Sequence, residues 1–166
     1  FIQKRINEEQ MKKAFLKQPY DTIKAYNSIL KMYDYYRKCD ELAQIPNEKG
    51  KIKNKYRKTN AANMLAERTN LINGGIQFFN LDKNKEALKF FGTYVESASY
   101  PMLADKEIAK TDTLLPQIAY YATLAADRAG NKKAVIKYAR LALEDKDGGK
   151  IAMQLLADAY KSQGDT

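Results

Sequence analysis

Residues able to do covalent or acid–base chemistry are few in this chain and poorly placed for it. It has no histidine, so the commonest general base and metal ligand is missing. Cys39 is the single cysteine, which rules out an internal disulfide or a thiolate metal site. Beside Lys38 it reads as a partly buried structural thiol. Glu144, Asp145 and Asp147 stand next to Gly148-Gly149, but their order does not fit a calcium loop. Gly74-Gly75 lacks a phosphate-loop or dinucleotide fingerprint, so the pair reads as a close approach between helices. The expectation is a non-enzyme with no metal and no cofactor, which works by binding.

Two kinds of residue could bind. The net charge of +9 is uneven: residues 1–70 hold 16 Lys and Arg against 8 Asp and Glu, while residues 71–166 hold 13 against 12. The excess concentrates in segment 49–58, where Lys51, Lys53, Lys55, Arg57 and Lys58 form a basic patch. It reads as a solvated helix start, with nucleic acid or another anionic polymer as the alternative ligand. Nucleic acid is the weaker candidate, since Tyr56 is the only aromatic in the run. The second kind consists of apolar and polar side chains on helix faces, and these depend on the elements that carry them.

The composition favours helix, and no run of about 18 apolar residues is present to span a membrane. Helices are expected over residues 3–17 (Ile6, Phe15 and Leu16 apolar, Pro19 ending it) and 22–43, with a cap at Asp21 or Thr22. The inward stripe of the second is Ile23, Tyr26, Ile29/Leu30, Tyr33 and Tyr36/Arg37, leaving Tyr35 at the rim. After a break at Ile45-Pro46 through Gly50, a third helix runs through Ala61–Ala66 and a separate fourth spans 69–80. A fifth carries Ala87, Leu88, Phe91, Tyr94 and Val95. Helices over 115–129, 132–143 and 150–163 complete the set, the last presenting Met153, Leu156, Ala157 and Tyr160.

The clearest signal is a repeat. Ala122, Thr123, Ala126, Gly130 and Asn131 recur, all at one constant offset, as Leu156, Ala157, Tyr160, Gly164 and Asp165. Ala134 and Tyr138 supply the small-then-aromatic spacing of the intervening helix. Leu71, Gly75 and Phe78, followed by Ala87 and Phe91, form an earlier copy. The step from Phe78 to its equivalent Ala126 is longer than that offset, and the extra positions fall in segment 98–115. That insertion is either a binding element or a cover over the groove.

With these residues, at a period of about 34 residues, the chain resembles the tetratricopeptide-repeat family over residues 69–166. The implied fold is all-α, a right-handed superhelix of helical hairpins with about eight helices. Residues 1–68 form a divergent hairpin region, followed by repeats at 69–99, 116–145 and an incomplete 150–166. The phrases IPNEKGKIKNKYRK, NLINGGIQFFNL and EALKFFGTYV also resemble an exported group of Bacteroidetes tetratricopeptide proteins, which implies a periplasmic or cell-envelope setting, with the cytoplasm as alternative. Asp21-Thr22-Ile23 and Asp112-Thr113-Leu114 are similar to the O-glycosylation triplet of such proteins. The chain opens at Phe1 without Met and halts within a repeat, as expected of a piece of a longer protein.

In that family the first helix of each pair lines a concave groove that takes a peptide or partner helix. The resemblance carries this role to Thr69, Ile72, Ile76 and Phe79, then Tyr120, Leu124 and Asp127, then Gln154, Asp158 and Lys161. Ile72 and Ile76 replace the polar residues that a clamp for a chain-terminal carboxylate would need. The implied function is a protein–protein scaffold whose partner is a protein or peptide segment. The unfinished last repeat offers a face for self-association.

Overall fold

A computed structural model of the chain describes residues 2–11 and 22–164. These residues are all-helical, with no strand among them. Phe15, Leu16, Pro19, Asp21 and Asp165, which figured in the sequence expectations, lie outside the described residues. The α-helices are α1 (Ile2–Met11), α2 (Thr22–Ala43), α3 (Arg57–Asn80), α4 (Asn84–Ser97), α5 (Ile108–Thr111), α6 (Leu115–Arg128), α7 (Lys132–Ala142) and α8 (Gly149–Ser162). A 3-10 turn, Pro101–Lys106, precedes α5.

Packing follows chain order. Helix α1 lies on α2 and α2 on α3; from there α3, α4, α6, α7 and α8 each pack on the next, and α6 also reaches α8. The turns explain the repeat. At the end of α6 the Asn131 N–H donates to the Ala126 carbonyl at 2.8 Å and Gly130 N–H to Asp127 at 2.9 Å. This six-to-one and five-to-two pattern needs a left-handed residue at its centre, and Gly130 has φ +69°. Gly164, at the matching position of the next copy, has φ +80° and donates to Lys161 in the same way. After α3 the same pattern joins Lys83 to Phe78 and Asp82 to Phe79, with Asp82 taking φ 57° where the later copies use glycine. The bends at Asp82 and Gly130 are therefore equivalent, and Gly164 shares their left-handed residue and five-to-two bond.

Gly74 and Gly75 behave as a close-approach pair. A methyl group at Gly75 would stand 2.4 Å from the Phe91 ring, and one at Gly74 would stand 2.7 Å from Phe90. Phe90 and Phe91 are fully buried, so α3 and α4 meet ring against backbone at the centre of the core.

Four sequence expectations need correction. The third and fourth helices are one, α3, because no Pro or Gly interrupts residues 66–70. The Asn70 side-chain amide donates to Glu67 at 2.8 Å along the continuous helix face. The inward stripe of α2 is rotated: Ala25, Ile29, Met32 and Tyr33 are buried, whereas Ile23 is exposed. On α8 the buried positions are Ala152 and Ala159, while Met153 and Ala157 face outwards. Residues 51–56 are not helical; α3 begins only at Arg57.

The insertion folds inward as a cover. Met102, Leu103 and Ile108 are buried in the main core. Asp112 fastens its far end: it accepts from the Arg68 guanidinium on α3 and from the Tyr94 hydroxyl on α4 at 2.7 Å. Arg68 also lies 3.7 Å over the Tyr94 ring and donates to the Tyr94 carbonyl at 3.1 Å. Burial pushes the Asp112 carboxyl up, but Arg68 and Tyr94 together outweigh it and hold the carboxyl below its ordinary range. Burial and the bond to Asp112 push the Tyr94 phenol up to about 12.

Candidate functional site

Ten residues were expected to line a groove on α3, α6 and α8. Thr69, Ile76, Gln154, Asp158 and Lys161 are exposed there, and Ile72, Phe79, Tyr120, Leu124 and Asp127 are half-buried. Ile72 and Phe79 pack against the main core. Phe79 meets Tyr121 edge-on at 6.2 Å, with the Arg128 guanidinium 4.4 Å over its ring. Tyr120 is 5.7 Å from Tyr121 and presses on the backbone of Gly148, where a methyl would come within 2.4 Å of its ring. Asp127 pairs with Lys132 at 3.0 Å. Phe79 and Tyr120 are thus joined through Tyr121 into an aromatic row that mortars α3, α6 and the α7–α8 turn. Asp145 caps that turn by accepting from Gly148 N–H at 2.8 Å.

An open concavity lies elsewhere, between α2, α4 and α7. It encloses about 640 Å³. Leu30, Leu88 and Ala134 give it an apolar floor, one residue from each helix. Its rim carries Arg37, Lys89, Lys133 and Lys137 against Asp34 and Glu96. Gly92 shapes it: a methyl there would lie 2.5 Å from the Tyr138 hydroxyl. The bare backbone lets that hydroxyl cross from α7 and donate to Glu96 at 2.5 Å, with Lys137 pairing to the same carboxylate. Burial, and then Glu96, push the Tyr138 phenol well above its ordinary value. On α2, Arg37 is gripped by Glu41 at 2.5 Å and Asp34 at 3.3 Å, and Lys38 donates to Asp34 at 2.7 Å.

The concavity continues past Tyr100. Arg37, Glu96 and Tyr100 also wall a second space of about 480 Å³, whose far side is Arg57, Pro101 and Met102. Those three residues in turn border a third space of about 700 Å³ floored by Ala61, Ala62 and Leu65. Burial, and then nearby Glu96, push the Tyr100 phenol up to about 12. Three spaces in series with shared walls form a furrow from α7 to the start of α3. None of its α2, α4 or α7 residues was foreseen as a site. The available signal was Gly92 ahead of Glu96, a glycine inside the strongly helical run EALKFFGTYV.

In the basic patch, Lys51, Lys53, Lys55 and Lys58 are exposed. Arg57 is committed to the fold: it donates twice to buried Asp40, at 2.7 and 2.8 Å, and Asn54 adds a third bond at 2.9 Å. Those bonds hold the Asp40 carboxyl below its usual range. Among the described residues no group of His, Cys, Asp and Glu side chains is placed to hold a metal ion, and no helix is long and apolar enough to cross a membrane. Comparison with known proteins finds no matching family model, no matching curated protein and no matching solved structure.

Proposed function

We infer that this chain is a non-enzymatic scaffold of tetratricopeptide-like superhelical type that holds an extended protein segment. The observation carrying this is the furrow: three adjoining open spaces that cross from α7 to the start of α3, the first and third with apolar floors and all three lined by charged residues. Apolar floors supply affinity and rim charges set register. The first space carries four cations against two carboxylates, which suits a segment with acidic side chains between apolar anchors. The equivalent bends at Asp82 and Gly130, with the left-handed residue that Gly164 shares, support the repeat assignment. We assign the protein to the periplasm or cell envelope because the sequence resemblance implies it.

The family resemblance would put the segment on α3, α6 and α8 instead, and one experiment separates the two faces. A photo-reactive side chain is installed in the full protein at Lys133, on the furrow rim, or at Ile76, exposed on α3. The furrow predicts specific cross-linked partners from position 133 and not from 76. Labelling from 76 alone would move the site to the α3–α6–α8 face. No specific partner from either position would refute segment binding.

A further inference from the structure

The connection between α2 and α3 carries a second surface beside the furrow, whose third space it borders through Asn54, Arg57 and Lys58. It is a preorganised finger. The Asn47 N–H donates to the Lys51 carbonyl at 3.0 Å, and the Asn47 side chain accepts from the N–H groups of Lys49 and Lys51, both at 3.0 Å. Gly50 closes the tip with φ +68° and donates to the Asn47 carbonyl at 2.8 Å. The base is clamped by Asp40 holding Asn54 and Arg57.

What this finger presents is unusual in combination. Lys49, Lys51, Lys53 and Lys55 on the connection and Lys58 in the first turn of α3 are exposed, against Glu48 and against Glu41, which pairs with Arg37 at the end of α2. Ile52 at 55% exposure and Tyr56 at 57% stand among them, and Ile45 at 63% and Leu42 at 66%, the latter on the last turn of α2, precede them. Ile45 and Ile52 flank the Asn47–Lys51 turn, one on each limb. Lone exposed hydrophobics need no explanation, but four within residues 42–56, at and beside a braced loop that carries the lysines, do.

We propose that this finger docks the protein onto an anionic lipid surface. The lysines meet headgroup phosphates and carboxylates, while Leu42, Ile45 and Ile52 enter the boundary between headgroups and acyl chains. Nucleic acid fits the charges equally well but not the aliphatic groups, which neither stack on bases nor read them. Tyr56, the one aromatic in the basic run, has the Lys55 ammonium 5.4 Å over one face of its ring and is a single platform where base stacking uses several.

The test is flotation of the full chain with vesicles of phosphatidylcholine alone and with about one third phosphatidylserine, at low and at physiological salt. Expected are binding to the anionic vesicles only and weakening with salt. Replacing Lys51, Lys53 and Lys55 with Gln should weaken binding about fivefold per lysine, about a hundredfold in all. I45S/I52S, which keeps every charge, should also release the protein from vesicles. These positions are exposed, so circular dichroism should show both variants folded. Absence of binding to anionic vesicles overturns the proposal. So does vesicle binding unchanged in I45S/I52S, or tighter retention by DNA than by anionic vesicles, either of which would make the finger a polyanion site.

Discussion

Gly75→Ala measures how closely α3 and α4 meet, because two effects of known size oppose each other there. In a helix without neighbours, Ala is favoured over Gly by about 1 kcal/mol. At Gly75 the new methyl would stand 2.4, 2.5 and 2.8 Å from three carbons of the Phe91 ring. Contacts that short cannot persist, so the ring or the helix must shift. The ring has little freedom: Phe91 is fully buried, stacked on Tyr121 at 5.8 Å and edge-on to Phe79 at 6.2 Å. Overpacking of this kind costs roughly 1–3 kcal/mol. The net expectation is a loss of about 1 kcal/mol, which lowers Tm by roughly 2–4 °C for a chain of this size. Thermal melts followed by circular dichroism read it out, with Asn73→Ala, exposed on the same helix, as a control that should not destabilise. In a Phe91→Leu background the clash is relieved, so Gly75→Ala should there become neutral or stabilising. If Gly75→Ala alone raised Tm by the propensity gain, α3 and α4 would not meet ring against backbone, and the core would have to be packed in another way.

Three further outcomes follow from the same geometry. Asp112→Asn should cost about 3 kcal/mol, because it strands the enclosed Arg68 guanidinium, and hydrogen exchange should quicken over residues 101–114. The folded-state pKa of Asp112 is lowered, so its contribution is present above the unfolded value of about 4 and lost as pH falls below it; acid titration should therefore narrow the gap between wild type and Asp112→Asn. Gly130→Ala meets no atom within 4 Å but must hold φ +69°, so it should lose about 1 kcal/mol, whereas Asp82→Gly at the equivalent bend should hold or raise Tm. Gly92→Ala should push the Tyr138 hydroxyl off Glu96 and abolish cross-linking from position 133, while a melt shows a loss of roughly 1–3 kcal/mol.

How much of this could be read from the chain depends on how local each cause is. The bends at Gly130 and Gly164 were legible because a left-handed residue and its flanking helix faces sit within a few positions of one another. Gly74-Gly75 was legible as a packing pair because nothing else about those glycines fitted a phosphate site. The false break before residue 69 fell at the expected start of a repeat, whereas the helix runs straight through, with Asn70 bonding back to Glu67 along its face. The basic run was misjudged for a longer-range reason. Arg57 finds Asp40 far back along the chain, on α2, and that clamp starts the helix late and leaves the lysines on a finger. The furrow is the extreme case: Leu30 and Leu88 read as inward stripe positions and Ala134 as a repeat contact, and only packing sets the three side by side under an open space.

The insertion shows why an array of paired helices can accept extra chain without losing register. Residues 98–115 lie between α4 and α6, yet those two helices pack directly on each other, so the added chain does not act as a spacer. It is held from both ends of the preceding hairpin: Arg68 on α3 and Tyr94 on α4 both bind Asp112, and Ser97 bonds back to the Tyr94 carbonyl at 2.7 Å. Between those fixed points Met102 and Leu103 complete the core against α3, and Tyr100, at the near end, turns outward as a shared wall of two of the three furrow spaces. The same residues therefore cover the hydrophobic seam and shape the furrow. A deletion that rejoined α4 to α6 would leave the stacking geometry possible, but it would uncover the core that Leu103 and Ile108 seal and remove the wall that Tyr100 and Met102 supply. Fold and furrow should fail together in that variant, whereas Asp112→Asn should loosen the cover and leave α6 to α8 intact.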